Sequence, residues 1–158
     1  MGGVARPIVV ALGSNLGDRP SHLRFAIARL GPVLGPLRVS SFHETAPVGV
    51  DPRQPRFLNA VAVGVSDLAA RDVLDLLLTI ERERGRERPW PGAPRTLDLD
   101  LVLCGDEVAD EPGLQLPHPR FRERAFVLEP LAEIAADLVD PVTGLTVAQL
   151  LERLRPEP

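Results

Sequence analysis

Leu97, Leu99, Leu101 and Leu103 stand at every second position of the run Pro94-Arg95-Thr96-Leu97-Asp98-Leu99-Asp100-Leu101-Val102-Leu103. A helix would scatter them around its circumference, whereas a strand puts them on one face. That face needs a core, so the chain must supply a layer to cover it. Thr96, Asp98, Asp100 and Val102 fall on the opposite face. Two carboxylates at i and i+2 lie about 7 Å apart along a strand. At an effective dielectric of about 20 they repel by roughly 2 kcal/mol. Solvent beside an edge strand absorbs that cost, and so does a bound cation; spacing alone leaves both readings open. Magnesium takes few carboxylates and fills its other positions with water or phosphate oxygens. Two ions about 3.5–4 Å apart fit between two such side chains. Arg95, just ahead of the strand, adds a charge whose planar fork matches phosphate.

The rest of the chain supplies the covering layer. Ile8 to Leu12 is a short apolar run between Pro7 and Gly13, which predicts a buried strand. A turn over 13–18 follows, with Asp18 as N-cap and Pro20 in the first helical turn. Leu23, Ala26, Ile27 and Leu30 carry an amphipathic helix to about Gly31. Leu37 to Glu44 reads as a second strand and Phe57 to Ser66 as a third. Between them, residues 45–56 hold four prolines and glycines and form a long loop, a candidate lid. Val73, Leu74, Leu77 and Ile80 predict a helix over 68–84 that stops at Gly85. A Pro/Gly-rich loop over 86–95 leads to the Asp98 strand, and 105–120 reads as irregular. Helices are expected near 124–136 and 146–154. The order β-α-β-β-α-β predicts an α+β, ferredoxin-like core: one antiparallel sheet with both helices on one face, plus extra C-terminal helices. The second face is then left to loops and ligand, with Asp98 and Asp100 pointing there. No repeat or linker divides residues 1–158, so a single domain is expected.

Composition removes several functional classes. The net charge of −4 gives no global support for nucleic-acid binding, and a sheet-surface RNA module would want more aromatics than five Phe and no Tyr. No apolar run approaches the ~20 residues that span a bilayer. The N-terminus has no signal-peptide pattern, and Arg6 stands where a myristoylation motif needs Ser or Thr. One cysteine, Cys104, precludes an internal disulfide, and a cytoplasmic setting is expected. All 18 basic residues are arginine, so lysine chemistry, whether a Schiff base or a Walker-A lysine, is ruled out.

Several smaller signals have both a functional and a structural reading. Arg82, Arg84, Arg86, Arg88 and Arg95 could clamp a polyphosphate; Arg82 and Arg84 also suit a solvated helix end. Arg88 and Arg95, set among Pro and Gly, are the stronger anion candidates. Gly13-Ser14-Asn15-Leu16-Gly17 lacks the phosphate-loop pattern, and a strand-to-helix turn accounts for it. His118, between Pro117 and Pro119, could meet phosphate or cap a turn. Phe57 and Asn59 share a strand face and could hold a flat heterocycle by stacking and paired hydrogen bonds, or could be a core aromatic with a structural amide.

Taken together, the segments 11–17, Glu44-Thr45-Ala46-Pro47-Val48-Gly49, Phe57-Leu58-Asn59-Ala60, Gly85-Arg86-Glu87-Arg88, Pro94 to Asp100, Pro117-His118-Pro119-Arg120-Phe121 and Arg124-Ala125-Phe126 resemble, in order, one family. It is the 6-hydroxymethyl-7,8-dihydropterin pyrophosphokinases of folate biosynthesis. The resemblance implies transfer of pyrophosphate from ATP, the co-substrate, to the pterin hydroxymethyl oxygen, with release of AMP. It implies two magnesium ions on Asp98 and Asp100. Phe57 and Phe126 would sandwich the pterin, Asn59 would meet its edge, and Thr45 and Val48 would add backbone contacts. Arg88 and Arg95 would meet the triphosphate in the catalytic step, with His118 and Arg124 adding phosphate contacts and Leu101 lining the adenine pocket. Loops 45–56 and 86–95 would close over the reactants. Expected partners are these small molecules alone, with no nucleic acid or membrane, and the chain is expected to act as a monomer. Pro91 and Gly92 stand where the family often has a basic residue and an aromatic, with Trp90 displaced and the loop one residue shorter; Pro119 stands where an aromatic can occur.

Overall fold

The computed structural model describes residues 4–47, 50–85 and 94–155. Five strands form one antiparallel sheet: β1 (Arg6–Ser14), β2 (Arg38–Val39), β3 (His43–Thr45), β4 (Phe57–Ser66) and β5 (Asp98–Cys104). Their order is β2-β4-β1-β5, with β3 also on β4. β1 pairs with β4 from Arg6↔Ser66 to Ser14↔Leu58 and with β5 on its other side. Neighbours on both edges and layers on both faces explain why β1 reads as a continuous apolar run rather than an alternating one. Helices α1 (Arg19–Leu34) and α2 (Ala70–Glu83) cover one face. Leu23, Leu30, Leu34, Val73, Leu77 and Ile80 pack there on Ile8, Val10, Leu12 and Leu99. This is the ferredoxin-like arrangement.

The other face is shared. α3 (Ala125–Ala135) and α4 (Val147–Leu154) cover part of it and build a second core from Val127, Leu128, Leu131 and Leu150 against Val9, Val61 and Val63. The expectation that this face is left to loops and ligand therefore holds only for its remaining part. Apolar residues at 9, 61 and 63 need a cover as much as the leucines do. α4 starts at a reciprocal capping box between Thr146 and Gln149. Arg122 and Asp140 pin the chain between α3 and α4 to the 3-10 turn Phe121–Glu123, with Nη2 to Oδ1 at 2.9 Å. Burial opposes ionisation of Asp140, but Arg122, Thr143 and the Val142 N–H outweigh it and hold its carboxyl at about 2.

Four sequence expectations need correction. The leucine stripe breaks at a bulge in β5. Val9 pairs with Leu103 but Val10 pairs with Leu101, so Val102 is the extra residue. Leu103 therefore joins the second core, and Cys104 takes its place in the first. Burial there pushes the Cys104 thiol up to about 11. The predicted strand 37–44 is two pieces, because at Ser40 the side chain takes over half of the pairing: its N–H still donates to Val61 O at 2.9 Å, but Val61 N–H donates to the Ser40 Oγ, at 2.9 Å, in place of a backbone carbonyl. Residues 105–120 contain a hairpin, β6 (Ala109–Glu111) and β7 (Leu114–Leu116), turning at Gly113 with φ +76°. Finally, α1 runs past Gly31 and Pro32 to Leu34. Complete burial of Leu34 offsets the hydrogen bond that Pro32 forgoes.

The end of α1 comes so close to β4 that only glycine fits at position 64. A Cβ there would lie 2.1 Å from the Leu34 carbonyl oxygen. Gly64→Ala should destabilise the domain by about 3 kcal/mol. Urea denaturation measures this, and an unchanged midpoint would mean that the helix end yields freely.

Candidate functional site

The sheet builds the site row by row. In one row β4, β1 and β5 bring Asn59, Gly13 and Asp98 side by side; in the next come Val61, Ala11 and Asp100. Adjacent strands are about 4.8 Å apart. The residues on the middle strand are small, so a hollow opens between an aromatic-amide end and an acidic end. A Cβ at Gly13 would sit 3.1 Å from Asn59 Oδ1. One cavity takes in Phe57, Asn59 and Thr45 at one side, and Arg95, Asp98 and Asp100 at the other; Arg120, Arg124 and Phe126 complete its wall.

Each side chain is held from its own element. Asn59 is 6% exposed, and its Nδ2 donates to Thr45 Oγ1 at 2.6 Å, which fixes the amide plane. Arg95 Nη1 donates to Asp98 Oδ2 at 2.8 Å, and its Nε is buried without a hydrogen-bond partner among the described residues. Arg124 Nη1 stands 3.8 Å from Asp100 Oδ2, and its guanidinium lies 5.4 Å from the Phe126 ring centroid. Between the two aspartates, Leu99 N–H donates to Glu81 Oε2 at 2.8 Å. Glu81 is 2% exposed and carries a carboxylate up from α2 to fix the peptide that separates Asp98 from Asp100.

Leu101 and His118 lie elsewhere. They line an adjoining groove with Leu74, Leu99 and Leu114, and Asp100 borders both spaces. His118 N–H donates to Val102 O at 2.9 Å, tying its segment to β5. Burial lowers the His118 pKa below its ordinary value; Arg124 and Arg120 add to the effect and Asp98 opposes it. The shift favours the neutral ring. Its Nδ1 accepts from Arg120 N–H at 3.2 Å, leaving the other nitrogen as the potential donor.

Thr45, Phe57, Asn59, Arg95, Asp98, Asp100, Arg124 and Phe126 thus meet around one cavity, while Leu101 and His118 meet next door. Val48 and Arg88 lie outside the described residues. Arg120, which the sequence marks only as a member of the Pro117–Phe121 segment, lies in the cavity wall. Glu81 was missed, although it continues the helix stripe at i+4 from Leu77.

The donor set also limits the metal. No three His, Cys, Asp or Glu side chains among the described residues gather where they could hold an ion. Two aspartates beside arginines cannot cage a structural metal. They do fit a magnesium ion that arrives with phosphates and needs few protein ligands.

An antiparallel sheet with a hollow that joins an aromatic-amide end to an aspartate-arginine end defines a class: an α+β domain suited to bringing a flat heterocycle against a polyphosphate. The family model for 7,8-dihydro-6-hydroxymethylpterin-pyrophosphokinase (HPPK) matches residues 9–136. Relatives named 2-amino-4-hydroxy-6-hydroxymethyldihydropteridine pyrophosphokinase include one from Synechocystis, 43% identical over 92% of this chain and 75% of the relative. Another, from Pseudomonas aeruginosa, is 44% identical over 83% of this chain and 82% of the relative. The fold also matches an HPPK-DHPS structure of Plasmodium falciparum with a TM-score of 0.76 at 13% identity, over 97% of this chain and 46% of that one. The chain spans less than half of that fused protein. It belongs to the 7,8-dihydro-6-hydroxymethylpterin-pyrophosphokinase family.

Proposed function

We propose that this chain transfers the diphosphoryl group of ATP to the hydroxymethyl oxygen of 6-hydroxymethyl-7,8-dihydropterin, giving AMP and the pterin pyrophosphate in folate biosynthesis. The observation that carries this reading is the single hollow shared by Phe57, Asn59 and Phe126 with Arg95, Asp98 and Asp100. The hydroxymethyl oxygen forms a bond to the β-phosphorus, the bond from that phosphorus to the α–β bridging oxygen breaks, and the bridging oxygen leaves with AMP. The hydroxyl proton passes to solvent. Such transfer depends on alignment and charge neutralisation more than on a strong base.

Phe57 and Phe126 bracket the pterin ring, and Asn59, locked by Thr45, reads its edge; Val48 adds a backbone contact in this reading. Asp98 and Asp100 hold magnesium, with two ions expected, and the metal neutralises phosphate charge when bound. Arg95 and Arg124 already sit against those carboxylates. Incoming phosphate oxygens compete for the same guanidinium forks, so both arginines can pass from carboxylate to phosphate without leaving the cavity. Arg88 joins them on the triphosphate. Leu101 lines the adenine groove, and His118 and Arg124 add phosphate contacts.

Incubation with ATP, magnesium and 6-hydroxymethyl-7,8-dihydropterin tests the reading. Equimolar AMP and pterin pyrophosphate are expected. ADP in place of AMP would mean monophosphoryl transfer or hydrolysis and would overturn it. Phe126→Ala should weaken pterin binding about 30-fold and ATP binding less than about threefold. Calorimetry with each ligand separates the two effects, and equal losses would point to damage to α3 instead.

A further inference from the structure

Asn15 is fully buried where β1 ends, and its contacts reach two distant segments. Its backbone N–H donates to Arg95 O at 3.0 Å, and its Oδ1 accepts from Arg95 N–H at 2.7 Å. The peptide groups on both sides of the Arg95 Cα are held by one residue, which sets the direction in which the Arg95 side chain leaves the chain. From the other end of the same amide, Nδ2 donates to Gln54 Oε1 at 3.0 Å and to Pro55 O at 3.3 Å. Those residues close the 50–56 segment that leads into Phe57 and contributes Val50 to the cavity wall.

We propose that Asn15 is a positioning residue that couples the two ends of the site: its Oδ1 sets Arg95 for the phosphates, and its Nδ2 sets the 50–56 segment for the heterocycle. The amide is the right group for this. One planar unit offers an acceptor on one side and a donor on the other. Aspartate keeps only the acceptor, and alanine keeps neither. Turn closure alone would call for a local partner, as Asx turns have. Asn15 reaches instead 39 and 80 residues along the chain. The pterin and ATP assignments are those of the proposed function.

The test compares Asn15→Ala, Asn15→Asp and Gln54→Ala in the full chain. It reads kcat, the KM for each substrate, and hydrogen exchange at the Arg95 amide. Asn15→Ala should lower kcat about 30-fold and speed Arg95 exchange by about 100-fold. Asn15→Asp should keep most of the Arg95 protection and turnover while raising pterin KM about 10-fold. The effect of Gln54→Ala should fall on pterin KM rather than on kcat. Asn15→Asp losing as much turnover and protection as Asn15→Ala would overturn the division of labour. A folded Asn15→Ala with wild-type constants and protection would overturn the coupling itself. If Asn15→Ala fails to fold, the Asp and Gln54 variants decide between the same outcomes. If the wild type makes no AMP from ATP and pterin, the functional reading fails, and the exchange comparison still decides whether Asn15 holds Arg95.

Discussion

Asp98→Ala and Asp100→Ala should each cost at least about 1,000-fold in kcat, roughly 4 kcal/mol of transition-state stabilisation. Neither aspartate is needed by the core. Both stand on the cavity side of β5, beside Gly13 and Ala11, while Leu99 and Leu101 of the same strand pack on the first core. Removing one carboxylate also relieves their mutual repulsion, so the thermal midpoint should stay within a few degrees of wild type. Turnover as a function of magnesium concentration, alongside thermal unfolding, measures both. Unchanged kcat in either variant would refute the metal assignment. Loss of activity together with loss of the folded state would move these residues from chemistry to structure.

Arg95→Ala should lower kcat about 100-fold and change pterin KM by less than about threefold. Its guanidinium is in the cavity wall at the acidic end, paired with Asp98 and with a buried Nε that no described residue satisfies. A buried donor without a partner is costly unless something arrives to accept from it, and a phosphate oxygen is such a group. Arg95→Lys should restore less than a tenth of the lost turnover, because an ammonium cannot reproduce the fork. Steady-state kinetics of the two variants check this. An effect confined to pterin affinity would refute the role.

Much of this was legible in the chain because the two periodicities are clean. The stripe Val73, Leu77, Ile80 and the alternation Leu97, Leu99, Leu101 locate α2 and β5 and place both aspartates on one face. What escaped had no periodic signal. β6 and β7 are three residues each, too short to show alternation. The bulge at Val102 changes nothing in composition yet sends Leu103 to the opposite core. Glu81 and Asn15 are polar residues whose partners, Leu99 and Arg95, are 18 and 80 residues away. A single sequence cannot pair them; only the closed sheet does. The cavity itself follows from what is absent at Gly13 and Ala11, and a missing side chain gains meaning only when its neighbours across the sheet are known.

The shielded thiol of Cys104 has a practical side. It is 1% exposed, and burial holds it protonated well above neutral pH. The chain has no lysine and no second cysteine. A cysteine introduced at exposed Arg53 would therefore be the one soft nucleophile open to a maleimide dye, with no need to strip out native competitors first. A probe on that segment would report, in real time and at a single known position, how the cavity rim responds as each substrate is added.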